Sequence, residues 1–271
     1  MTSPYHEANR TYWDALSHWW ARAADARDLW RRCPAEPHLV LTGQELTHLG
    51  DLRGKSICVL GSGDNQAVLA LAGLGGELTS VDISQGQLDV AAVRAKELGL
   101  SICFVRADVT DLAPLGDARF DIVYTGGHVA VWVSDINRFY GQAAGILKPG
   151  GMLMVSEYHP LRRIWKDDLT RLEVHCSYFD RGPHIYEKPS PGGAMGQMRD
   201  GGGDVTPSPT MKQYEFHWTV SDYLRAIRQA GCDVIDVDEM GDKPEGWEFA
   251  PLTGLPQILL IVARKRAEAP A

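Results

Sequence analysis

The chain has 271 residues, 44% hydrophobic and 23% charged, and its 27 lysines and arginines against 35 aspartates and glutamates leave a formal net charge of -8. That is the composition of a soluble globular chain and excludes disorder over most of the length. Without a lysine or arginine block it points away from nucleic acid and anionic membranes, and its longest apolar run, Ile258 to Ala263, is far short of the ~20 residues of a bilayer span.

The expectation is a cytoplasmic protein that acts on a small-molecule substrate. The opening MTSPYHEANR has neither an apolar targeting core nor an arginine-rich presequence. Five scattered cysteines (Cys33, Cys58, Cys103, Cys176, Cys232) read as reduced thiols, and nine dispersed histidines without paired Cys/His spacing offer no metal motif.

In chain order, Tyr12, Leu16, Trp19, Trp20 and Ala23 recur at helical spacing, predicting an amphipathic helix over the first thirty residues, where four tryptophans lie. Pro34 and Pro37 end it, and a short helix follows before Gly50. From Ser56 the pattern is regular: strand 56–60, helix 65–75, strand 78–82, helix from Ser84 to Glu97, strand 101–108, strand 121–125, helix 133–147, the turn Lys148 to Gly151, and strand 152–158. Strands alternating with helices mean right-handed crossovers and a parallel, doubly wound α/β sheet. Residues 180–212 are rich in Gly and Pro and read as a loop insertion, either a cover over a pocket or a plain excursion. A helix over 220–230 and strands 232–240 and 257–265 complete the chain.

The sharpest local feature is Val59 to Gln66, VLGSGDNQ, where a strand passes through Gly61-Ser62-Gly63 into a helix. Glycines there let backbone amides approach a ligand, and a helix start favours a negative group. Asp82 lies 19 residues beyond Gly63 at the end of the next strand, where a carboxylate can accept both hydroxyls of a ribose. An adenosine-containing cofactor follows, while Gln66, in place of a third glycine, disfavours a dinucleotide pyrophosphate.

The succession VLGSG, VDIS with Asp82, FVRADVTDL with Asp108, FDIVYTGG and LKPGGMLMVSEYHP resembles the class I S-adenosylmethionine (SAM)-dependent methyltransferases of small-molecule type. The resemblance covers residues 54–160. It implies a three-layer, Rossmann-like, mainly parallel seven-stranded sheet with an antiparallel last strand, and SAM across the carboxyl ends of the first strands. Gly61, Ser62, Gly63 and Asn65 would lie at the methionine end, Asp82 and Ile83 at the ribose, Asp108 and Val109 at the adenine, and Thr125 and Gly126 near the sulfonium. Tyr12 of the first helix would complete the cofactor set. The chain departs from the family at Val59, where many members have an acid, and at Asn65, where they have a glycine.

On this reading the chain is one domain: a helical lid (1–50), a SAM-binding core (54–160), and a substrate-side insertion with the last helix and strands (161–271). Methyl transfer to nitrogen or oxygen needs alignment and exclusion of water, and a base only when the nucleophile starts protonated. His128, His159 and His217 sit where substrate-facing loops are expected and are the candidate catalytic residues. Tyr12, Trp13, Trp20, Trp132, Tyr158 and Trp218 could wall the pocket, whereas Arg162, Arg163 and Lys166 read either as a solvated face, the preferred reading, or as a site for a substrate carboxylate or phosphate. Three alternatives stay open: a different reaction of SAM, by intramolecular displacement or rearrangement, a nicotinamide-dependent oxidoreduction, and a noncatalytic SAM-binding module. Association with a second copy is left open as well.

Overall fold

The alternation expected over residues 56–158 is present in a computed structural model of the chain, which describes residues 3–117, 119–166, 168, 170–186, 211–241 and 251–267. Ahead of the sheet lie α1 (Pro4–Asp25), α2 (Leu29–Arg32) and α3 (Gly43–Leu49). Then come β1 (Ser56–Leu60), α4 (Gln66–Gly73), β2 (Glu77–Asp82), α5 (Gln85–Glu97), β3 (Ile102–Arg106), β4 (Phe120–Gly126), α6 (Ile136–Gly145) and β5 (Leu147–Tyr158). The chain continues through β6 (His184–Tyr186), β7 (Gln213–Glu215), α7 (Val220–Gln229), β8 (Cys232–Met240) and β9 (Ile258–Lys265).

Seven strands form one sheet in the order β3-β2-β1-β4-β5-β9-β8, with β9 antiparallel to both β5 and β8 and the other pairs parallel. The fold is the Rossmann-like, seven-stranded arrangement that the motif order implies. The strand order reverses between β1 and β4, which opens a crevice beyond their carboxyl ends.

β1 shows why the layers form. Its side chains alternate between faces: Ile57 and Val59 join Val68, Leu71, Tyr124 and Trp30 on one side, while Cys58 and Leu60 join Val123, Phe139 and Tyr140 on the other. Both faces are covered, so the strand reads as a continuous apolar run. Polar caps start the helices: Ser84 accepts from Gln87 N (3.2 Å) and Asp135 from Arg138 N (2.9 Å).

Several boundaries differ from expectation. The helix expected from Val133 begins at Ile136 because Asp135 caps it and a 3-10 turn, Ala130–Trp132, precedes it. The turn expected at Lys148 to Gly151 is absorbed into β5, which starts at Leu147. The first helix breaks at Asp28, held in a left-handed conformation (φ 53), rather than at Pro34. The flanks of the glycine-rich insertion pair as the antiparallel ribbon β6-β7; residues 187–210 of that insertion lie outside the described residues.

α1 packs on α5 and β7. Gly86 permits the close approach to α5, since a Cβ there would lie 2.7 Å from Ser17 Oγ. Asp14 then accepts from Ser84 Oγ (2.7 Å) and Gly86 N (3.1 Å), fixing α1 across the start of α5.

Candidate active site

A cavity of about 1010 Å³ opens at the carboxyl ends of β1 and β4, its walls including the glycine turn, the ends of β2 and β5, and α1. Gly61 (φ +62) and Gly63 (φ +49) both take left-handed backbone, which suits glycine. Asn65 caps α4 by accepting from Ala67 N (2.8 Å) and donates from Nδ2 to Gly126 O (3.1 Å), so it ties the turn to the end of β4. A side chain at Gly127 would run into that amide, at 2.6 Å from Nδ2.

At the end of β2, Asp82 Oδ2 accepts from Gly63 N (2.7 Å) and Oδ1 from Ser84 N (2.8 Å). Burial pushes its carboxyl up to about 6, against the pull of those two amides. Gln87 Oε1 is buried without a hydrogen-bond partner among the described residues. A Cβ placed on Gly63 would lie 3.8 Å from Gln87 Oε1 and 4.0 Å from Asp82 Oδ2, so both acceptors face the space beside Gly63. A ribose, with two adjacent hydroxyl donors, fits that pair, and the residues present are therefore compatible with an adenosyl group.

Farther along, Asp108 is held from both sides. His6 Nε2 accepts from Ser134 N (2.9 Å), so its Nδ1 carries the hydrogen and donates to Asp108 Oδ2 (2.7 Å). Thr110 N and Oγ1 both donate to Oδ1 (2.8 Å each). Burial alone would raise this carboxyl, but the His6 and Thr110 bonds outweigh it and hold it below the usual range.

Gly61, Ser62, Gly63, Asn65, Asp82, Ile83, Asp108, Val109 and Tyr12 all line this one cavity. Thr125 and Gly126 do not: β4 keeps them within the sheet, and Gly127 and His128 come to the wall instead. His128 carries φ 85, an uncommon conformation for a residue with a side chain. Its ring centre is 4.6 Å from that of Tyr158 and 5.7 Å from that of Trp132.

The other two candidate histidines are placed elsewhere. His159 accepts from Leu161 N (3.2 Å) at Nδ1 and so donates from Nε2 to Glu239 (2.7 Å), capping the turn after β5. Burial lowers its pKa, and it is not on the cavity wall. His217 stacks on His184 (3.8 Å between ring centres) and pairs with Glu215 (3.3 Å), reaching the cavity only through that carboxylate.

The cluster Arg162, Arg163 and Lys166, expected as a solvated face in preference to a substrate-anion site, lines the cavity. Arg162 is buried over the Tyr158 ring (4.3 Å). Arg163 donates from Nη1 to Glu215 (2.8 Å), and its Nη2 abuts the His128 ring at Nε2. Burial would raise Glu215, yet Arg163 and then His217 hold it below its ordinary value. Tyr12, Trp13, Trp20, Trp132 and Tyr158 wall the cavity as expected, whereas Trp218 turns away and donates to Ala130 O (3.1 Å) and Val133 O (3.2 Å).

Sequence reasoning missed several polar residues of the site, among them Asn9, Glu45, Gln87, Glu157 and Glu215. Thr42-Gly-Gln-Glu45 was open to reading as a capping box, and Glu157 and Glu215 stand two residues before His159 and His217. Glu157 accepts from Val129 N (3.0 Å) and Ala130 N (3.1 Å), the amides that follow His128. Burial pushes its carboxyl up to about 7.

Residues 59–155 match a family model described as a methyltransferase domain. Over that segment the chain is similar to methyltransferase domains, and its fold is that of the class I SAM-dependent methyltransferases. The matched segment runs from β1 to β5 and contains the glycine turn, Asp82, Asp108 and His128. A curated relative, the ubiquinone biosynthesis O-methyltransferase of Bartonella tribocorum, is 30% identical over 129 residues, which is 48% of this chain and 51% of that protein. The chain thus spans about half the length of the curated relatives it matches. Among solved structures, a SAM-dependent methyltransferase from Mesorhizobium loti superposes with a TM-score of 0.60 at 23% identity, over 86% of this chain and 98% of that one. Magnesium protoporphyrin IX methyltransferase from Synechocystis, with S-adenosylhomocysteine (SAH) bound, superposes at 0.59 and 14% identity over 96% and 99%. At these identities the structural likeness concerns the methyltransferase fold.

Proposed function

We propose that this protein transfers the methyl group of SAM to a small molecule, at an oxygen or nitrogen, and that the acceptor is held beside His128. The observation that carries the reading is that one cavity joins the Gly61–Asp82 end to the His128–Glu215 end. Its volume is at the top of the ~300–1,000 Å³ of ordinary ligand pockets, room for a cofactor and an acceptor side by side.

SAM, when bound, supplies an electrophilic methyl group. Asp82 and Gln87 accept the ribose hydroxyls, Ile83 and Val109 flank the adenosine, and Gly61, Ser62, Gly63 and Asn65 receive the amino-acid end. α1 excludes water: His6, Asn9, Tyr12, Trp13 and Trp20 close the cavity from outside the sheet, which supports reading residues 1–50 as a lid on a single domain.

On the acceptor side the chain orients and deprotonates. A guanidinium only donates, so the imidazole nitrogen facing Arg163 presents its lone pair. An acceptor hydroxyl that displaces Arg163 Nη2 would meet that lone pair and hand His128 its proton, while Nη1 stays on Glu215. Such a base contributes about 10²-fold or more for a hydroxyl and little for a neutral amine. Oxygen is the favoured acceptor atom, in keeping with the O-methyltransferase relatives. The test is incubation with methyl-labelled SAM and panels of hydroxylated and amine metabolites, read by mass spectrometry. Labelled product with SAH is expected; methylthioadenosine in its place would mean a different reaction of SAM.

A further inference from the structure

At the methionine end of the proposed cofactor site lies a carboxylate whose charge is unbalanced. Glu45, on α3, is 2% exposed and lines the cavity together with Gly61 and Asn65. Its Oε1 accepts from Tyr124 Oη (2.8 Å), and its Oε2 from Thr42 N and Oγ1 (2.8 Å each). All three donors are neutral, and no ion pair to Glu45 occurs among the described residues.

Position adds to this. Tyr124 is the register partner of Val59 across β1 and β4, so its ring stands beside Val59 on the same face of the sheet. A Cβ on Gly126 would lie 2.7 Å from Tyr124 Cζ, so the ring folds over the strand end whose carbonyl Asn65 holds. Glu45 is thereby carried to the glycine turn by an element outside the sheet. A buried carboxylate without a cation is costly, and the cost is relieved when a ligand brings one.

We infer that Glu45 is the counter-charge for the α-ammonium of SAM, with Tyr124 as the positioning residue that aims it. This rests on the reading of the cavity as a SAM site. The ligand chemistry recognised is a primary ammonium on a short chain joined to adenosine through a sulfonium (SAM) or thioether (SAH) sulfur.

Calorimetric titration of the full chain with three ligands tests it: SAH, its decarboxylated analogue, which keeps the amine, and methylthioadenosine, which lacks it. Glu45→Gln is expected to weaken the two amine-bearing ligands by about tenfold or more, the scale of a lost hydrogen bond to a charged group, and to leave methylthioadenosine within about twofold. Equal weakening of all three, or no weakening of SAH, would overturn the role of Glu45 while the cofactor reading stands. A wild-type protein that binds none of the three would overturn the cofactor reading itself. If Glu45→Gln does not fold, wild-type protein is titrated with deaminated SAH, and an affinity equal to that of SAH overturns the inference.

Discussion

The Val129 side chain rests on the Cα of Gly61: a Cβ at Gly61 would lie 2.9 Å from Val129 Cγ2 and nearer still to Cγ1. Val129 is in turn held by Glu157, which accepts its amide. The glycine turn, the loop bearing His128 and the end of β5 therefore form one unit.

Gly61→Ala meets two penalties, a left-handed φ (~1–2 kcal/mol) and an overpacked contact (~1–3 kcal/mol). The expected outcome is a lower melting temperature and weaker SAH binding. Adding Val129→Ala removes only the second penalty, so the double variant is expected to recover part of the stability. Denaturant midpoints of the four proteins in this cycle check it, and strict additivity would contradict the contact.

Glu157 predicts a pH-dependent stability. Its folded carboxyl titrates at about 7 against an ordinary 4.5, so the folded chain keeps a proton that the unfolded chain has released between those values. Raising the pH through this window therefore lowers the stability of the wild type. Relative to Glu157→Gln, the wild type is expected to lose on the order of 3 kcal/mol. Parallel stability profiles for the two proteins would contradict the burial of an ionisable group here.

Asp82 predicts an opposite trend in binding. Its carboxyl titrates at about 6 in the free protein, and ribose hydroxyls donate to the ionised form. SAH affinity is expected to be flat above about pH 7 and to fall toward tenfold per unit below about pH 6. Asp82→Asn is expected to bind weakly with a flat profile; a pH-dependent profile that survives in this variant would assign the titration to another group.

His128 and His159 are separated by kinetics. His128→Ala is expected to reduce kcat with a hydroxyl acceptor by about 10²-fold and leave SAH affinity unchanged. His159→Ala removes the bonds to Leu161 and Glu239, so it is expected to lower the melting temperature and leave kcat near wild type. The reverse pattern would exchange their roles.

Much of the fold was legible because β1 and β4 carry buried apolar runs, Ile57 to Leu60 and Ile122 to Tyr124, and because glycine turns or helix caps follow the strands. The β6-β7 ribbon was not, since three-residue strands at the edges of a glycine-rich insertion carry no periodicity. In the site, Gly61, Gly63, Asp82 and Asp108 follow from the strand order. His128 and His159 could not be told apart, because each follows a strand; only the packing of β8, which brings Glu239 to His159, turns that histidine away from the cavity. Glu45 and Gln87 come from helices whose approach to the cavity is decided by tertiary packing, which local pattern does not encode.

On the proposed function, the glycine turn and Asp82 form an adenosyl site for SAM. Calorimetric titration of the wild-type chain with SAH, with NAD as the comparison, tests it most directly. One SAH is expected to bind per chain with a negative heat-capacity change from burial in the cavity, and NAD is expected not to bind. Binding of NAD in preference to SAH would contradict the account.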